Sequence, residues 1–213
     1  MTTSKIKSIL ALGSLICSLA FFSACELVGL DLQQNYDYEA SAPDPNINMS
    51  AWEYLNQERP DTLFKLMLEG IKYAGLEEEY SKPDRTFIFL TNAAIYQIST
   101  TGVELSTSYF VRNKVNGESA KSWQDYPVEQ VRDLFLYHIL QGVHTYPDIT
   151  LENTTCETLL NEQTVTIKML TINDSRLAFN NYEGTIRAVN ARTSNIRPTN
   201  GVIHVIDQNL YYE

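Results

Sequence analysis

The closing segment of the chain, GVIHVIDQNL over residues 201–210, carries a histidine and an aspartate three positions apart. A histidine near a carboxylate is a common arrangement for general acid and base catalysis. The β-branched residues around this pair predict a strand, however, and successive side chains on a strand point to opposite faces. His204 and Asp207 are therefore expected on opposite faces, which argues against a catalytic dyad. Because both faces of this strand are apolar, we expect a central strand with a buried, hydrogen-bonded His204.

The other residues that could do chemistry do not assemble into a site either. His138 falls on the apolar stripe of a predicted helix, and Tyr137 is turned about 100° away from it. The three histidines have no cysteine partners and lack the close paired spacing of a zinc site. The sequence also has no glycine-rich phosphate loop, no Gly-x-Ser-x-Gly motif and no histidine paired with Cys156. We therefore predict no metal, no cofactor and no enzymatic activity.

The N-terminus has the pattern of an export signal. Two lysines precede an apolar stretch, residues 9–22, that is followed by the small residues Ser23 and Ala24. The stretch is too short to cross a bilayer as a helix, which takes about 20 apolar residues. We predict a signal peptide over residues 1–24.

Cys25, directly behind this stretch, resembles the lipobox cysteine of bacterial lipoproteins, whose thiol receives a diacylglyceryl group. Cys17 is a poorer candidate because the bulky Ile16 precedes it. Lipidation at Cys25 predicts an outer-membrane lipoprotein, at the cell surface or on the periplasmic face. The alternative is an ordinary secreted protein with a free thiol. Cys156 then remains as the single cysteine of the folded part, so no internal disulfide can form.

The charge and composition of the mature chain separate a tether from a domain. Removing residues 1–24 takes away two lysines and no acidic residue, which lowers the formal charge from −10 to −12. A surface this acidic repels phosphate backbones, so we expect no nucleic acid partner. Residues 25–48 are polar and acidic and have no sustained hydrophobic period. They predict a flexible acidic tether that leads to one domain over residues 49–213.

The first half of the domain has helical signals around one strand. Ser50 followed by Glu53 is a capping box that starts a helix. An apolar stripe at spacings of three and four predicts a second helix that ends before Gly75. A β-prone run over residues 85–90 leads into a brief helix, and a longer helix is predicted over residues 127–141.

The last third of the chain changes character, because β-branched and alternating runs replace the helical spacing. These runs, separated by Asn, Asp, Gly and Pro, predict strands at residues 164–170, 176–180, 185–191 and 202–210. Helices followed by strands favour an α+β fold over a parallel α/β sheet.

Three segments in order resemble the fasciclin (FAS1) family: RTFIFLTNAAI over residues 85–95, LFLYHILQG over 134–142 and TNGVIHVIDQNL over 199–210. The resemblance covers residues 50–213 and implies an α+β fold, a twisted β-sheet wedge with packed α-helices in a single domain. It also implies a role in adhesion outside cells and not in catalysis. The family motif falls on seven residues: Asn92, Tyr137, His138, Asn200, Gly201, His204 and Asp207.

The resemblance suggests roles for part of this motif. In animal members of the family the Tyr-His segment is linked to receptor binding, which corresponds here to Tyr137 and His138. The place of His138 on the apolar stripe indicates a mainly structural role instead. His204 and Asp207 would anchor neighbouring backbone.

The segment over residues 96–126 is longer than is usual in the family, and it interleaves aromatic with basic residues. Long connections in compact domains are often functional, and interface centres favour aromatic residues and arginine. The candidate partner contacts in this segment are Tyr109, Phe110, Arg112 and Trp123. The alternative is that the segment covers the sheet and buries its aromatics in its own domain.

Taken together, the sequence predicts a lipoprotein held to the outer membrane by its lipid anchor. Its non-catalytic domain would bind an extracellular protein or a glycan in adhesion. The alternative is an accessory binding lipoprotein of a starch-utilisation-type, TonB-dependent nutrient uptake complex, with transporter components of the outer membrane as partners.

Overall fold

The computed structural model describes residues 44–57, 63–171 and 176–211. The predicted signal peptide, the predicted lipidation site at Cys25 and the tether up to residue 43 lie outside the described residues. From Asp44 onward the chain forms one unit. Within the described ranges, no helix combines the length and the apolar character that crossing a bilayer requires.

The helices form where the sequence offers caps and apolar stripes. Helix α1 begins at the predicted capping box: the Glu53 N–H donates to the Ser50 hydroxyl at 3.1 Å, and the Ser50 N–H donates to the Glu53 carboxylate at 2.7 Å. Helix α2 ends at Gly75, whose φ of 63° is a left-handed conformation that glycine adopts without strain. Both predictions are confirmed. The described α-helices are α1 Ala51–Leu55, α2 Lys65–Ala74, α3 Asn92–Ile95, α4 Tyr109–Arg112 and α5 Val128–Tyr137.

Helix α5 is shorter than the sequence predicts. The backbone leaves the helix at His138, with φ −92° and ψ 12°, and residues Ile139–Gln141 form strand β2. This strand pairs antiparallel with strand β1, Arg85–Leu90, where Phe87 lies opposite Ile139. The prediction of a helix to residue 141 is wrong because strand pairing supplies the backbone hydrogen bonds that another helical turn would have made.

A seven-stranded mixed sheet forms the centre of the domain. Its strands stand in the order β2-β1-β7-β6-β5-β4-β3. Strand β7 is parallel to β1 and antiparallel to β6, so the interior position expected for the closing strand is confirmed. The remaining strands are β3 Thr154–Glu157, β4 Thr164–Met169, β5 Leu177–Phe179, β6 Val189–Ile196 and β7 Gly201–Ile206.

The two edges of the sheet approach each other. Leu140 on β2 forms a bridge with Thr158, just after β3, and the Leu159 N–H donates to the Ile139 carbonyl oxygen at 2.8 Å. The sheet is therefore a wedge that nearly closes into a barrel, with the predicted α+β composition. Near closure protects both edges, which would otherwise offer unpaired backbone groups.

The last residues of the predicted tether are bound to the domain. The Arg197 N–H donates to the Pro45 carbonyl oxygen at 2.8 Å, and the Ile47 N–H donates to the Arg197 carbonyl oxygen at 3.1 Å. The Thr199 N–H donates to the Met49 carbonyl oxygen at 2.9 Å. The ordered domain thus begins a few residues before the predicted boundary at residue 49.

Candidate functional site

The Asn-Gly pair of the family motif lies where β1, β7 and helix α1 meet. The Asn200 side-chain oxygen accepts from the Ala51 N–H at 2.8 Å, and its NH₂ group donates to the carbonyl oxygens of Tyr80 and Lys82 at 2.9 and 3.0 Å. A Cβ atom at Gly201 would overlap the Arg85 carbonyl oxygen, so only glycine lets β7 approach β1 at this point. Both residues build the fold.

His204 is fully buried in β7, as the sequence predicts. Its Nδ1 accepts from the Asn195 N–H at 3.2 Å, so the proton lies on Nε2, which donates to the His144 carbonyl oxygen at 3.1 Å. Desolvation lowers the pKa of His204 to about 4. The ring is therefore neutral at pH 7 and joins β6 to the loop after β2.

The Tyr-His pair of the motif is buried as well. His138 Nε2 accepts from the Leu210 N–H at 3.0 Å, and Nδ1 donates to the Leu134 carbonyl oxygen at 2.8 Å. Burial lowers the pKa of His138 to about 4. The Tyr137 hydroxyl lies 3.0 Å from the Tyr211 carbonyl oxygen and accepts from the Asn180 NH₂ group at 3.2 Å. Neither side chain lies on the surface, so the receptor contact that the resemblance implies does not fit this structure.

The two remaining motif residues also bond within the domain. Asp207 accepts from the Thr91 hydroxyl at 2.8 Å and pairs with Arg192 at 3.3 Å. The Asn92 side-chain oxygen accepts from the Leu66 N–H at 2.9 Å at the start of α2. Asp207 follows the last residue of β7, and its partners Thr91 and Arg192 differ from those of His204, which agrees with the prediction that the two residues do not form a dyad.

The aromatic residues of the 96–126 segment form a buried cluster. Phe110 and Trp123 meet edge to face with ring centres 4.8 Å apart, and Tyr109 lies 5.8 Å from Trp123. The Trp123 Nε1–H donates to the Leu66 carbonyl oxygen at 2.7 Å. The hypothesis that Tyr109, Phe110 and Trp123 contact a partner is therefore wrong, because their side chains are used to pack the segment onto α2 and α5. The alternative reading, in which the segment covers its own domain, is the correct one for these three residues.

Packing of this cluster depends on a glycine in α2. A Cβ atom at Gly70 would lie 2.5 Å from Cε2 of Phe135 and 2.7 Å from Cε2 of Trp123. Such distances are shorter than real carbon contacts, so Gly70 allows α2 to approach both rings. The aromatic cluster belongs to the main core.

Arg112 is the one candidate contact that stays exposed. Its guanidinium lies over the Tyr211 ring, 4.0 Å from the ring centre, and the Arg187 guanidinium lies 5.8 Å from the same centre. Sequence reasoning missed Tyr211 and Arg187 because the three residues are far apart in the chain and carry no shared motif. Fully exposed Ile186 and half-exposed Tyr182 lie in the loop that contains Arg187.

The metal-ligating side chains and the cysteine of the described residues are predicted to form no site. No group of three or more His, Cys, Asp or Glu side chains within the described ranges could hold a metal ion. The Cys156 thiol is buried, and desolvation raises its pKa to about 11, so it is a poor nucleophile at pH 7.

Comparison with known proteins places the chain in a family. A family model of the fasciclin domain matches residues 62–212, and the chain belongs to this family. Domains of this family generally serve adhesion and binding and not catalysis. A search of curated proteins gives no match.

The solved structures that match include a FAS1 domain pair from the insect cell adhesion molecule Fasciclin I. Sequence identity to it is 13% and the TM-score is 0.48. The alignment covers 78% of the present chain and 51% of that chain, so this protein spans about half the length of the domain pair.

Proposed function

We propose that this protein is a lipid-anchored binding protein of the outer cell surface, whose fasciclin domain attaches to an extracellular protein or glycan. The observation that supports the proposal is that the residues of the family motif serve the fold. Each of the seven motif residues either bonds within the fold or allows close strand packing. The polar residues that resemble a site are therefore structural, and binding is left to the exposed surface.

The anchor in this proposal is Cys25, which follows an apolar stretch and two small residues. Two or more acyl chains hold a protein stably on a membrane, whereas one chain gives marginal binding. Residues 26–43 then separate the lipid from the first residues bound to the domain. The chain length between them is enough to hold the domain clear of the bilayer.

The proposal is tested with the full chain produced in a Gram-negative bacterium. Wild-type protein should float with membranes, carry a lipid at Cys25 by mass spectrometry and be cut by protease added to intact cells. Cells that display it should be retained on surfaces coated with extracellular matrix proteins or polysaccharides, while cells with the Cys25→Ala protein should not.

Two results would contradict the proposal. An unmodified Cys25 in wholly soluble wild-type protein excludes anchoring, and equal retention of both kinds of cell excludes adhesion. Co-purification of a transporter from detergent-solubilised membranes would favour the nutrient-uptake alternative instead.

A further inference from the structure

The dipeptide Asn-Gly occurs twice in the chain, at residues 116–117 and 200–201. This dipeptide can deamidate without an enzyme, because the glycine has no side chain to shield its backbone nitrogen from the asparagine amide. The reaction requires that the asparagine side chain is free to turn and that the glycine nitrogen is free to attack it. The two sites differ in both respects.

The pair that belongs to the family motif is held firmly by the fold. Asn200 is 8% exposed, and its side chain makes the three hydrogen bonds described above. Gly201 begins strand β7, and its backbone packs directly against the Arg85 carbonyl oxygen. Neither reacting group can move while the domain is folded.

Asn116 and Gly117 form the tip of an exposed hairpin. Their φ angles of 52° and 84° are those of a type I′ turn, and Val115 and Glu118 exchange two backbone hydrogen bonds of 2.9 and 3.1 Å beside it. Both tip residues are exposed, and a Cβ atom added at Gly117 would meet nothing within 4 Å. Water therefore reaches both reacting groups.

The reacting groups of this tip have no partners that hold them. Among the described residues, neither the Asn116 amide nor the Gly117 N–H makes a hydrogen bond. The turn must open before the amide carbon can meet the glycine nitrogen. Because a single bridge, between Val115 and Glu118, closes the hairpin at an exposed place, it can open locally while the domain stays folded.

We infer that Asn116 is a site of spontaneous deamidation and that the fold protects Asn200 from the same reaction. The Gly117 nitrogen loses its proton to solvent and attacks Cγ of Asn116, which forms a new C–N bond. The bond from Cγ to the side-chain nitrogen breaks, and this nitrogen takes a proton from solvent and leaves as ammonia.

Water then opens the cyclic imide that the first step leaves at residues 116–117. Attack of water at Cγ gives aspartate. Attack at the main-chain carbonyl carbon gives isoaspartate, in which the side-chain carbons become part of the backbone. In both cases one water is consumed and one ammonia is released, so the reaction needs no oxidant, cofactor or second protein.

Either product changes the surface of the 96–126 segment. A neutral amide becomes a carboxylate, which lowers the formal charge of the chain from −10 to −11. The new charge lies in a shallow depression that Asn116 lines together with Asp125. Isoaspartate also lengthens the backbone at the tip, which disturbs the pairing of Val115 with Glu118. The aromatic cluster packs on α2 and α5 and not on this tip, so the domain should stay folded.

Peptide mapping by mass spectrometry tests the inference on the full-length protein in detergent, incubated in warm, mildly alkaline buffer. Deamidation at Asn116 should accumulate with time and should be faster at higher pH, because the attacking nitrogen must lose its proton. Deamidation at Asn200 should be at least about a hundredfold slower, since its pair is released only when the domain unfolds. Incubation in urea that unfolds the domain should bring the two rates close together.

Three variants assign the reaction to the hairpin tip. Asn116→Gln requires a larger, less favourable ring and should prevent the acidic form that anion-exchange chromatography separates from the intact protein. Gly117→Ala should slow its formation, because the added methyl group shields the nitrogen. Asn161→Gln is the matched control: Asn161 is also exposed but precedes Glu162, so the acidic form should appear at the wild-type rate. Melting temperatures should match the wild type in the Asn116→Gln and Asn161→Gln proteins.

Four results would overturn the inference. Asn116 could stay intact in the folded protein while it reacts in urea, or Asn200 could react as fast as Asn116 in the folded protein. The Asn116→Gln protein could form the acidic species at the wild-type rate, which would place the reaction at another asparagine. An Asn200 that stays equally slow in urea would show that the neighbouring sequence, and not the fold, protects it.

Discussion

The two buried histidines should make the domain sensitive to mild acid. His138 and His204 are fully buried and neutral, and each has its pKa lowered from 6.5 to about 4 by desolvation. As the pH falls below 6.5, the unfolded chain takes up a proton on each ring before the folded protein can. The contribution of the neutral rings to the free energy of unfolding is therefore fully present above pH 6.5 and is lost as the pH falls towards 4.

The size of this loss follows from the two pKa values. Between pH 7 and pH 5 each histidine should lower the free energy of unfolding by about 2 kcal/mol, and both together by about 4 kcal/mol. That is a large share of the roughly 5–15 kcal/mol that holds a typical domain folded. Three carboxylates contribute to stability over a more acidic range. Hydrogen bonds lower the pKa of Glu53 (from Ser50), of Asp125 (from Lys121 and Ser122) and of Asp148 (from Thr145). Their contribution to the free energy of unfolding is therefore lost only at more acidic pH than that of the histidines.

Urea unfolding followed by tryptophan fluorescence at several pH values between 7 and 5 measures the effect. His204→Asn and His138→Gln place an amide oxygen near the nitrogen that accepts a backbone N–H, and each should remove about half of the pH dependence. His144→Asn is the control, because it keeps both buried rings and should keep the full dependence. A wild-type stability that is constant from pH 7 to pH 5, or single variants as steep as wild type, would refute the reasoning.

The aromatic cluster, the Asn200 network and the long segment give three further predictions. Trp123→Ala should lower the free energy of unfolding by about 3–5 kcal/mol through the cavity it leaves. The control Val103→Ala, at a 61% exposed site, should change it by less than about 0.5 kcal/mol. Equal losses for the two variants in urea titrations would contradict the burial of Trp123. Asn200→Ala leaves the Lys82 carbonyl oxygen and the Ala51 N–H unpaired, while the Tyr80 carbonyl oxygen keeps the Trp52 N–H as a donor. The substitution should cost on the order of 3 kcal/mol, and an unchanged melting temperature would count against this network. Deleting residues 102–119 removes Tyr109 and Phe110 from the core and should unfold the domain, so a cooperative thermal transition near the wild-type temperature would show that the cluster is dispensable.

Local patterns predicted the elements that depend on nearby residues. The Ser50–Glu53 capping box, the end of α2 at Gly75 and the run of β1 are all read within a few positions of the sequence. The burial of His204 also follows from the sequence, because apolar residues occupy both faces of its strand. The fasciclin family itself is recognisable from three short segments, and the match over residues 62–212 confirms it.

The short strands and the order of strands in the sheet could not be predicted from the sequence, because both depend on pairing partners elsewhere in the chain. Strand β2 has three residues and continues a helical pattern, and only its pairing with β1 sets it apart. Strand β6 begins at Val189, later than the predicted 185, because its register is fixed by β5 and β7.

By itself, the sequence identified the polar residues of the family motif, and it indicated that His204 and Asp207 do not form a catalytic pair. Only the tertiary structure decided what those residues and the aromatic segment do. The same composition, aromatic residues beside arginine, suits both an interface and a core, and local sequence does not distinguish them. Contact with α2 and α5 places Tyr109, Phe110 and Trp123 inside, while Arg112 meets Tyr211 and Arg187 from distant parts of the chain on the surface. Burial is a property of the whole fold, because a side chain is removed from water only by residues that the chain brings back from far away.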